Sequence, residues 1–469
     1  MKTISAWSLY DAIARTSYNI VMNIGTKSSC TEDSVDRSNL QSRCFNERNS
    51  TAGYTRRFHL SSFRSGRQFI ATFSCCIALS LTAEAANFTG YIRTGVGGNS
   101  KGGTQSCFKL PGAPSKYRLG NECEHYIEFA LEDRINLADG SRLTVMGMSQ
   151  HYNPYGHSLK FRHPHDKDAA WSRISQLFFK WEKMPALNGG NFWLGRRYYK
   201  RNSIHISDYY YWNQSATGFG FDEVPIGDLR YSYVFSRQDN YVQKPYINRH
   251  DFNVNGFKTN PGGELQVGLS YIQKPDSSNA HSGWALSAQH MQAGVQGSGT
   301  NTFALQYGRG PGTGLGFTGN PTLDDSNKSW RLVENLVWQI TPRFSGQFEV
   351  VYQKDIRTDS DDQRWLSIGV RPVYALTEHI KLQAEVGRDQ IKAPDGTRQL
   401  TKFTIAPAWS FAGMEYWARP ELRVYYTYAT WNKAAQRAAD PGSTLSSTGA
   451  FGTDRHGSNF GAQLEWWWK

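Results

Sequence analysis

Four short segments of the sequence place an aromatic residue two positions from a charged residue. They are Tyr91-Ile-Arg93, Tyr126-Ile-Glu128, Trp417-Ala-Arg419 and Glu465-Trp-Trp467. Because side chains two positions apart share one face of a β-strand, each ring would lie beside a charge on a polar face. A sugar offers apolar C–H faces to such rings and hydroxyl groups to such charges. The pattern predicts carbohydrate contacts; ordinary packing explains any one ring, but less well all four.

Catalytic and metal-binding alternatives have less support. Glu128 and Glu421 could be paired as in a glycosidase, but no motif sets a general acid against a nucleophile. The segment His163-Pro-His165-Asp166 contains metal-ligand residue types, but the intervening proline and the lack of further ligands favour a polar loop. The sequence therefore predicts neither an enzyme nor a metal or cofactor site.

The bulk composition fits an ordered chain and does not indicate nucleic-acid binding. The 469 residues carry a formal net charge of +12, with 20% charged and 14% aromatic residues. The mean hydropathy of −0.58 is compatible with a transmembrane β-barrel, because lipid-facing and lumen-facing residues alternate. Lys and Arg are dispersed and no nucleic-acid-binding motif accompanies them. We therefore predict no nucleic-acid partner.

The first 85 residues differ from the rest and predict a leader. An apolar run at 69–81 follows arginines at positions 56, 57, 64 and 67 and precedes Ala83-Glu-Ala85. This order is typical of a secretory signal, and the run is too short to span a bilayer as a helix. Cleavage is expected after Ala85, which leaves 86–469 as one domain. Residues 1–57 are either an unusually long leader or the product of a start codon assigned too early.

Cysteine usage changes at the same boundary. Only Cys107 and Cys123 follow the predicted cleavage site. Two cysteines in an exported chain are expected to form one disulfide that closes a short loop, because the periplasm is oxidising. Two free thiols are the alternative, and exported proteins seldom keep them.

From position 86 onward, apolar and polar residues alternate in segments separated by turn residues. Ile380-Lys-Leu-Gln-Ala-Glu-Val386 and Glu264-Leu-Gln-Val-Gly-Leu-Ser-Tyr271 each have one apolar and one polar face. Many such strands indicate an all-β protein, and a closed barrel removes their edges. Because charges are costly in a dry core, the polar face is expected to line a water-filled lumen and the apolar face to contact lipid. A secreted soluble lectin, the alternative, requires a polar outside and a dry core.

Eight segments, spread in order along 86–469, carry a family resemblance. They are Asn87-Phe-Thr-Gly-Tyr-Ile-Arg-Thr-Gly95, Gln105-Ser-Cys-Phe108, Ser115-Lys-Tyr-Arg-Leu-Gly-Asn-Glu-Cys-Glu124, Gly195-Arg-Arg-Tyr-Tyr-Lys-Arg201, His205-Ile-Ser-Asp-Tyr-Tyr-Tyr-Trp212, Asn260-Pro-Gly-Gly263, Trp417-Ala-Arg-Pro420 and Phe460-Gly-Ala-Gln463. Together they resemble the maltoporin family of carbohydrate-selective outer-membrane porins. The resemblance implies a transmembrane antiparallel β-barrel of 18 strands with an inward-folded constriction loop. It also implies a Cys107–Cys123 disulfide in the first loop and a homotrimer.

The resemblance further implies which residues contact the substrate. The family has an aromatic slide flanked by a polar track that narrows at the constriction loop. The slide corresponds here to Tyr91, Tyr126, Trp417 and Trp467. The polar track and constriction correspond to Arg93, Arg118, Glu128, Arg173, Arg201, His205, Asp208 and Tyr210.

Some family positions are not matched. Ser203 and Asn213 stand where the family has carboxylates, which makes the constriction more positive. One slide position aligns near Thr300, with Phe303 only a neighbour. The slide position that reaches into the adjacent subunit has three candidates here, Tyr155, Phe161 and Trp171.

These features predict a channel for facilitated diffusion of maltose and maltodextrins. The retained Arg201 and Tyr210 favour a linear glucan over sucrose. Expected partners are these sugars, outer-membrane lipid and lipopolysaccharide, two further copies of the chain, and a periplasmic sugar-binding protein. A general or other-sugar diffusion porin is the alternative.

Overall fold

The structure, a computed structural model, describes residues 82–83, 86–157, 159, 170–237, 246–358 and 361–468. The short strand Thr82–Ala83 pairs with the end of the second barrel strand. Outside the described residues lie the predicted signal core at 69–81, the cleavage site after Ala85, Phe161 and the segment His163-Pro-His165-Asp166.

Eighteen strands form one antiparallel sheet, which confirms the predicted all-β class. In chain order, β1 to β18 are Asn87–Asn99, Glu124–Asn136, Arg142–Pro154, Trp171–Met184, Gly190–Arg197, Ala216–Ile226, Leu229–Arg237, Asn248–Lys258, Gly263–Ile272, Gly283–Val295, Gly299–Arg309, Lys328–Thr341, Phe344–Ile356, Gln363–Ala375, Ile380–Ala393, Gly396–Ser410, Glu421–Trp431 and His456–Trp468.

The sheet closes on itself because its first and last strands pair. Each strand is hydrogen-bonded to its neighbour in sequence, and β1 also pairs with β18 from Gly90↔Trp468 to Asn99↔Asn459. The sheet is therefore a barrel without open edges. We call the end with connections such as 100–123, 198–215 and 432–455 the loop end. The opposite end, with short connections such as 227–228 and 342–343, is the turn end.

Helical structure in the described ranges is short. It consists of α1 at Lys433–Arg437, capped by the Asn432 side chain, and two 3₁₀ segments, Pro185–Leu187 and Gly310–Gly314. None of these helices has the length and apolar character needed to cross a membrane.

The two faces of the strands differ as predicted. In β17, Glu421, Arg423 and Thr427 point inward and are buried, whereas Leu422 and Val424 point outward and are 44% and 58% exposed. The same alternation places Lys381, Gln383 and Glu385 of β15 inside. An apolar outside facing lipid is the opposite of the secreted-lectin alternative, which required a polar exterior.

The expectation of a uniformly water-filled lumen is wrong for one wall. The first loop, 100–123, folds into the barrel against β14–β16, and its Tyr117 contacts Gly369 and Gly387. A Cβ atom at these glycines would lie 1.9 and 2.0 Å from the Tyr117 ring. Tyr117 Oη also lies 2.9 Å from Ser367 Oγ. The loop thus covers inward-facing polar residues that strand alternation alone would leave in water.

The covered charges are compensated by one another. Glu385 accepts hydrogen bonds from Arg371 Nε at 2.7 Å and from Lys402 Nζ at 2.8 Å. Lys402 also donates to the carbonyl oxygen of Leu119 in the first loop at 2.7 Å. All three charged side chains are at most 2% exposed. Burial is tolerated because each charge has an ionic partner.

Candidate functional site

The disulfide fixes the base of the first loop. Cys107 and Cys123 are bonded, with Cα atoms 5.9 Å apart and a sequence separation of 16, which confirms the predicted pairing. Asn121 ties the loop together, since its Nδ2 donates to the carbonyl oxygens of Phe108 and Tyr117 at 2.8 Å. The first loop therefore forms a stable inner layer beside the site.

A second inward element, the third loop at 198–215, narrows the barrel. Its strands Asn202–Ile204 and Tyr209–Trp212 form a hairpin, and Asp208 in the turn has a φ of 52°. Apolar residues Ile204 and Ile206 are fully buried. These contacts confirm the predicted inward-folded loop.

Hydrogen bonds pin the third loop to distant strands. Ser207 Oγ donates to Glu349 of β13, and Tyr211 Oη to Gln289 of β10, both at 2.5 Å. Ile206 accepts from the backbone nitrogen of Arg118 in the first loop at 2.9 Å. The two inward loops therefore support each other.

The first and third loops, β1–β5 and β18 enclose a cavity of about 620 Å³. Of the predicted substrate-contacting residues, all but Trp417 line it. The lining is Tyr91, Arg93, Arg118, Tyr126, Glu128, Gln150, Trp171, Arg173, Arg196, Tyr198, Arg201, Ser203, Ile204, His205, Asp208, Tyr210, Asn213, Ser215 and Trp467.

The four predicted slide rings form a continuous series from the loop end to the turn end. The ring centroids of Tyr126 and Tyr91 are 5.9 Å apart, and those of Tyr91 and Trp467 are 6.3 Å apart with planes inclined by 19°. Trp417 follows Trp467 at 6.4 Å. The first three rings are placed by paired strands, since Tyr91 lies opposite Trp467 in the β1–β18 ladder.

Trp417 belongs to the series of rings, but it lies in a connection and not on a β-strand as predicted. The sequence interpretation placed it on a β-strand together with Arg419, but β17 begins only at Glu421. Pro420, which has no N–H to donate to the ladder, directly precedes that strand. Trp417 therefore lies in the connection 411–420 at the turn end, where its centroid is 4.7 Å from that of Tyr416.

One slide position of the family aligns near Thr300 and Phe303. Neither residue places an aromatic ring on the inner wall of the barrel. Thr300 borders a cavity of about 390 Å³ together with Tyr416, Trp417 and Trp338. Phe303 points outward and is 41% exposed. Tyr416 and Trp338, which the sequence interpretation missed, supply the aromatic surface in this region.

Among the described candidates for the inter-subunit slide position, Trp171 borders the main cavity. Its ring stacks on Tyr152 at 5.5 Å with planes inclined by 4°, and the Arg173 guanidinium lies 4.6 Å from its centroid. Tyr155 is buried next to His125 instead. Trp171 thus extends the aromatic lining from within the same chain.

Charged groups behind the rings form a dense network. Arg118 donates from Nη2 to Tyr91 Oη at 2.8 Å and to Glu465 at 3.0 Å, and Tyr91 donates to Glu465 at 2.9 Å. Arg93 pairs with Glu122 at 2.6 Å and also with Glu124. These arginines border the cavity, but much of their donor capacity is used by protein carboxylates.

On the opposite side of the cavity, fewer hydrogen-bond donors of the arginines are used by protein carboxylates. The Arg201 guanidinium lies between two rings, 3.8 Å from the centroid of Tyr198 and 4.2 Å from that of Tyr210. Arg173 donates to Gln150 at 2.7 Å. Tyr198 and Gln150 were missed by the sequence interpretation, although Gln150 lies opposite Glu128 in the β2–β3 ladder.

His205 packs edge-on between the last two rings. Its centroid is 5.1 Å from that of Trp417 and 6.1 Å from that of Trp467. Burial and the Arg118 guanidinium hold the pKa of His205 well below its ordinary value of 6.5. Arg118 Nη1 lies 3.2 Å from Nδ1, which therefore accepts. A neutral His205 acts as a spacer that holds the two indoles.

The described residues contain no group of three or more His, Cys, Asp or Glu side chains that could hold a metal ion. The chemistry of the cavity is therefore described by its rings, arginines and two carboxylates, Glu128 and Asp208.

A closed 18-stranded barrel with an apolar outside and a narrowed inner cavity defines a porin, a channel of the bacterial outer membrane. A family model described as LamB porin matches residues 86–468, and the chain belongs to this family. Members of the family are channels and not enzymes.

Solved structures of outer-membrane channels are similar to this chain at low sequence identity. DcaP of Acinetobacter baumannii is 9% identical with a TM-score of 0.48, covering 82% of this chain and 97% of that one. OccAB1 of the same organism is 11% identical with a TM-score of 0.47 and the same coverage. Pseudomonas aeruginosa OpdK, solved with vanillate, is 10% identical with a TM-score of 0.46, covering 82% and 99%.

Proposed function

We propose that this porin guides maltose and maltodextrins by facilitated diffusion along the rings of Tyr126, Tyr91, Trp467 and Trp417. The observation that carries the proposal is the spacing of these rings, 5.9 to 6.4 Å between consecutive centroids. Such a series offers a linear glucan a new apolar contact before the previous one is lost. Passage requires contacts that are individually weak, since tight sites would trap the sugar.

The polar side of the path supplies hydrogen bonds to sugar hydroxyls. Arg173 and Arg201 donate, Glu128 and Asp208 accept, and Tyr210 narrows the passage; all five border the cavity. Arg93 and Arg118 contribute mainly by holding Tyr91 and the neighbouring carboxylates in place. His205 positions the two tryptophans.

Single-channel recording tests the proposal. Maltohexaose should block ion current in a concentration-dependent manner, and Trp467→Ala should weaken the block about fivefold to tenfold, because one ring contact is worth about 1 kcal/mol. Trp409→Ala is the matched control, since Trp409 points outward and is 55% exposed. Unblocked current in the unmodified protein would reject sugar selectivity, and equal block in the two variants would reject the slide.

A channel for other sugars or anions is the second candidate, favoured by the composition of the constriction. Five arginines border the cavity against two carboxylates, and Ser203 and Asn213 add no charge. Liposome swelling with maltodextrins, sucrose and arabinose separates the candidates. Preferential entry of maltodextrins supports the glucan assignment, and equal rates at matched size support a general porin.

A homotrimer is part of the same proposal. An outward apolar groove of about 520 Å³ on β1–β4, with Phe88, Phe129, Leu131 and Ile174 in its lining, supports contact with another subunit.

A leader at 1–85 and a periplasmic sugar-binding partner complete the proposal. Native mass spectrometry of the purified protein tests the trimer, and N-terminal sequencing tests cleavage after Ala85.

A further inference from the structure

The outside of the barrel carries three basic residues in register near the loop end of β13–β15. Lys354 lies directly opposite Arg364 in the β13–β14 ladder, and Arg364 lies directly opposite Lys392 in the β14–β15 ladder. Residues in such positions have Cβ atoms about 5 Å apart, where like charges repel. The row is therefore unfavourable unless an anion lies against it.

The described part of the chain supplies no ionic partner for this row. Its ion pairs within 4.0 Å include none of the three basic residues. Three nearby carboxylates have other partners: Asp355 contacts Arg357, Asp362 accepts from the Arg357 backbone nitrogen, and Asp395 contacts Arg398. Asp361 is exposed and forms no ion pair with the row. Among the described residues, the row therefore has no counter-charge within ion-pair distance.

A groove of about 450 Å³ on the same outer face adds further donors. Its lining includes Arg388 and Arg455 together with the hydroxyl groups of Thr401, Tyr428 and Thr430. Arg388 contacts Thr401 Oγ1 at 3.3 Å and is exposed. It lies four residues from Lys392 on the same face of β15, about 13 Å along the strand. The row and the groove therefore form one basic surface, which we call the basic rim.

An apolar band lies on the turn-end side of the basic rim. Val386 of β15 and Phe403 of β16 point outward there and are each 43% exposed, whereas Ile368 of β14 lies level with Arg388, its partner in the β14–β15 ladder. On the other flank of the barrel, the outward positions near the loop ends of β2–β4 include His125, His151 and Ser172 rather than lysine or arginine. The flank formed by β2–β4 therefore lacks this combination of cations above an apolar band.

We propose that the basic rim binds the phosphate groups of an acylated outer-leaflet lipid, whose acyl chains lie along the apolar band. Lysine and arginine donate charge-assisted hydrogen bonds to phosphate, and the groove hydroxyls add neutral donors. The loop end of a porin faces outward, so the basic rim lies at the level of the lipid headgroups. A bound phosphate also removes the repulsion within the row.

Lipid titration followed by native mass spectrometry of the full-length purified protein tests this proposal. The probe is bisphosphorylated lipid A, and the variant combines Lys354→Gln, Arg364→Gln and Lys392→Gln. We expect at least a tenfold loss of affinity. The control combines Lys258→Gln, Lys274→Gln and Lys433→Gln, which remove the same charge from exposed positions elsewhere, and it should change affinity less than twofold. Equal affinities of the two triple variants would overturn the proposal.

Two further arms identify the source of the phosphate and exclude unfolding. Lipid A without phosphates should bind the unmodified protein about as weakly as bisphosphorylated lipid A binds the row variant. Full displacement by equimolar inorganic pyrophosphate would instead assign the surface to soluble phosphates and overturn the lipid assignment. In lipid-free detergent, the row variant should unfold at an equal or higher denaturant concentration, because repulsion is relieved. Unfolding at a lower concentration would contradict the repulsion on which the proposal rests.

Discussion

Strands β14–β16 and strands β1–β3 both point charged side chains into the barrel, but the two walls differ in what covers those charges. On β14–β16, Arg371, Glu385 and Lys402 are buried beneath the first loop and satisfy one another. On β1–β3, Tyr91, Tyr126 and Glu128 border an open cavity. One wall therefore anchors a loop, whereas the other is free to contact a substrate.

The difference shows that strand alternation decides only which side chains face inward. Whether an inward charge is structural or available depends on a loop that arrives from elsewhere in the chain. Arg118 illustrates this, because it lies in the first loop and yet contacts Tyr91 and Glu465 on the open wall. The covering loop thus also holds the Tyr91 ring in place.

The largest effect is expected at the centre of the covered wall. Glu385→Gln leaves Arg371 and Lys402 without their shared counter-charge, which should lower the free energy of unfolding by about 3–5 kcal/mol. Denaturant unfolding in detergent measures the change. Glu264→Gln, whose side chain is 39% exposed, should cost less than about 1 kcal/mol. Similar losses in both variants would contradict a special role for the covered wall.

The next effect concerns the fastening of the first loop. Replacing both Cys107 and Cys123 by serine should cost about 3 kcal/mol, because the disulfide closes a loop spanning 16 positions. Unfolding with and without reductant measures this cost, and reductant should leave the serine variant unchanged. If the first loop is held mainly by its contacts with β14–β16, the single-channel conductance of the serine variant will equal that of the unmodified protein.

A smaller effect is expected where Tyr117 meets the wall. Gly387→Ala places a Cβ atom 2.0 Å from the Tyr117 ring, and such overpacking costs about 1–3 kcal/mol. A double-mutant cycle with Tyr117→Ala should show positive coupling, since removing the ring removes the clash. Additive losses in the cycle would mean that Tyr117 does not rest on this wall.

The smallest effect is expected in the third loop, which faces the open wall, and it depends on pH. Because the pKa of His205 is lowered in the folded protein, the unfolded chain binds a proton near pH 6.5 before the folded protein does. The free energy of unfolding should therefore fall below about pH 6.5, by at most about 1.4 kcal/mol per pH unit. The free energy of unfolding is measured at pH 7.5 and at pH 5.5. The His205→Gln variant should lose the decrease between the two, whereas His281→Gln, on an exposed loop, should retain it. An unchanged pH slope in His205→Gln would contradict the assignment.

The barrel and most of its lining were predictable because both follow from local alternation. Leu382 and Val386 face outward and Lys381 and Glu385 inward, as their sequence order indicates. Family resemblance then selected side chains that border one cavity. The functional role of these residues stays a prediction.

Contacts between distant segments could not be predicted from the sequence. Nothing near Tyr117 indicates that its ring lies on strands more than 200 positions later. The signal was instead on the strands, where Gly369 and Gly387 occupy inward positions that a side chain would normally fill. Trp417 was misplaced because strand alternation was assumed for residues that precede Pro420 and lie outside β17.

The pairing of β1 with β18 has a consequence for how the molecule is made. Closure joins partners from opposite ends of the polypeptide, such as Gly90 and Trp468, so it requires the final strand to be present. Until then the nascent protein has two open sheet edges and an uncovered apolar exterior, both prone to aggregation. Contacts this distant in sequence also form slowly. We therefore expect biogenesis of this porin to require protection of these edges until β18 is available to pair with β1.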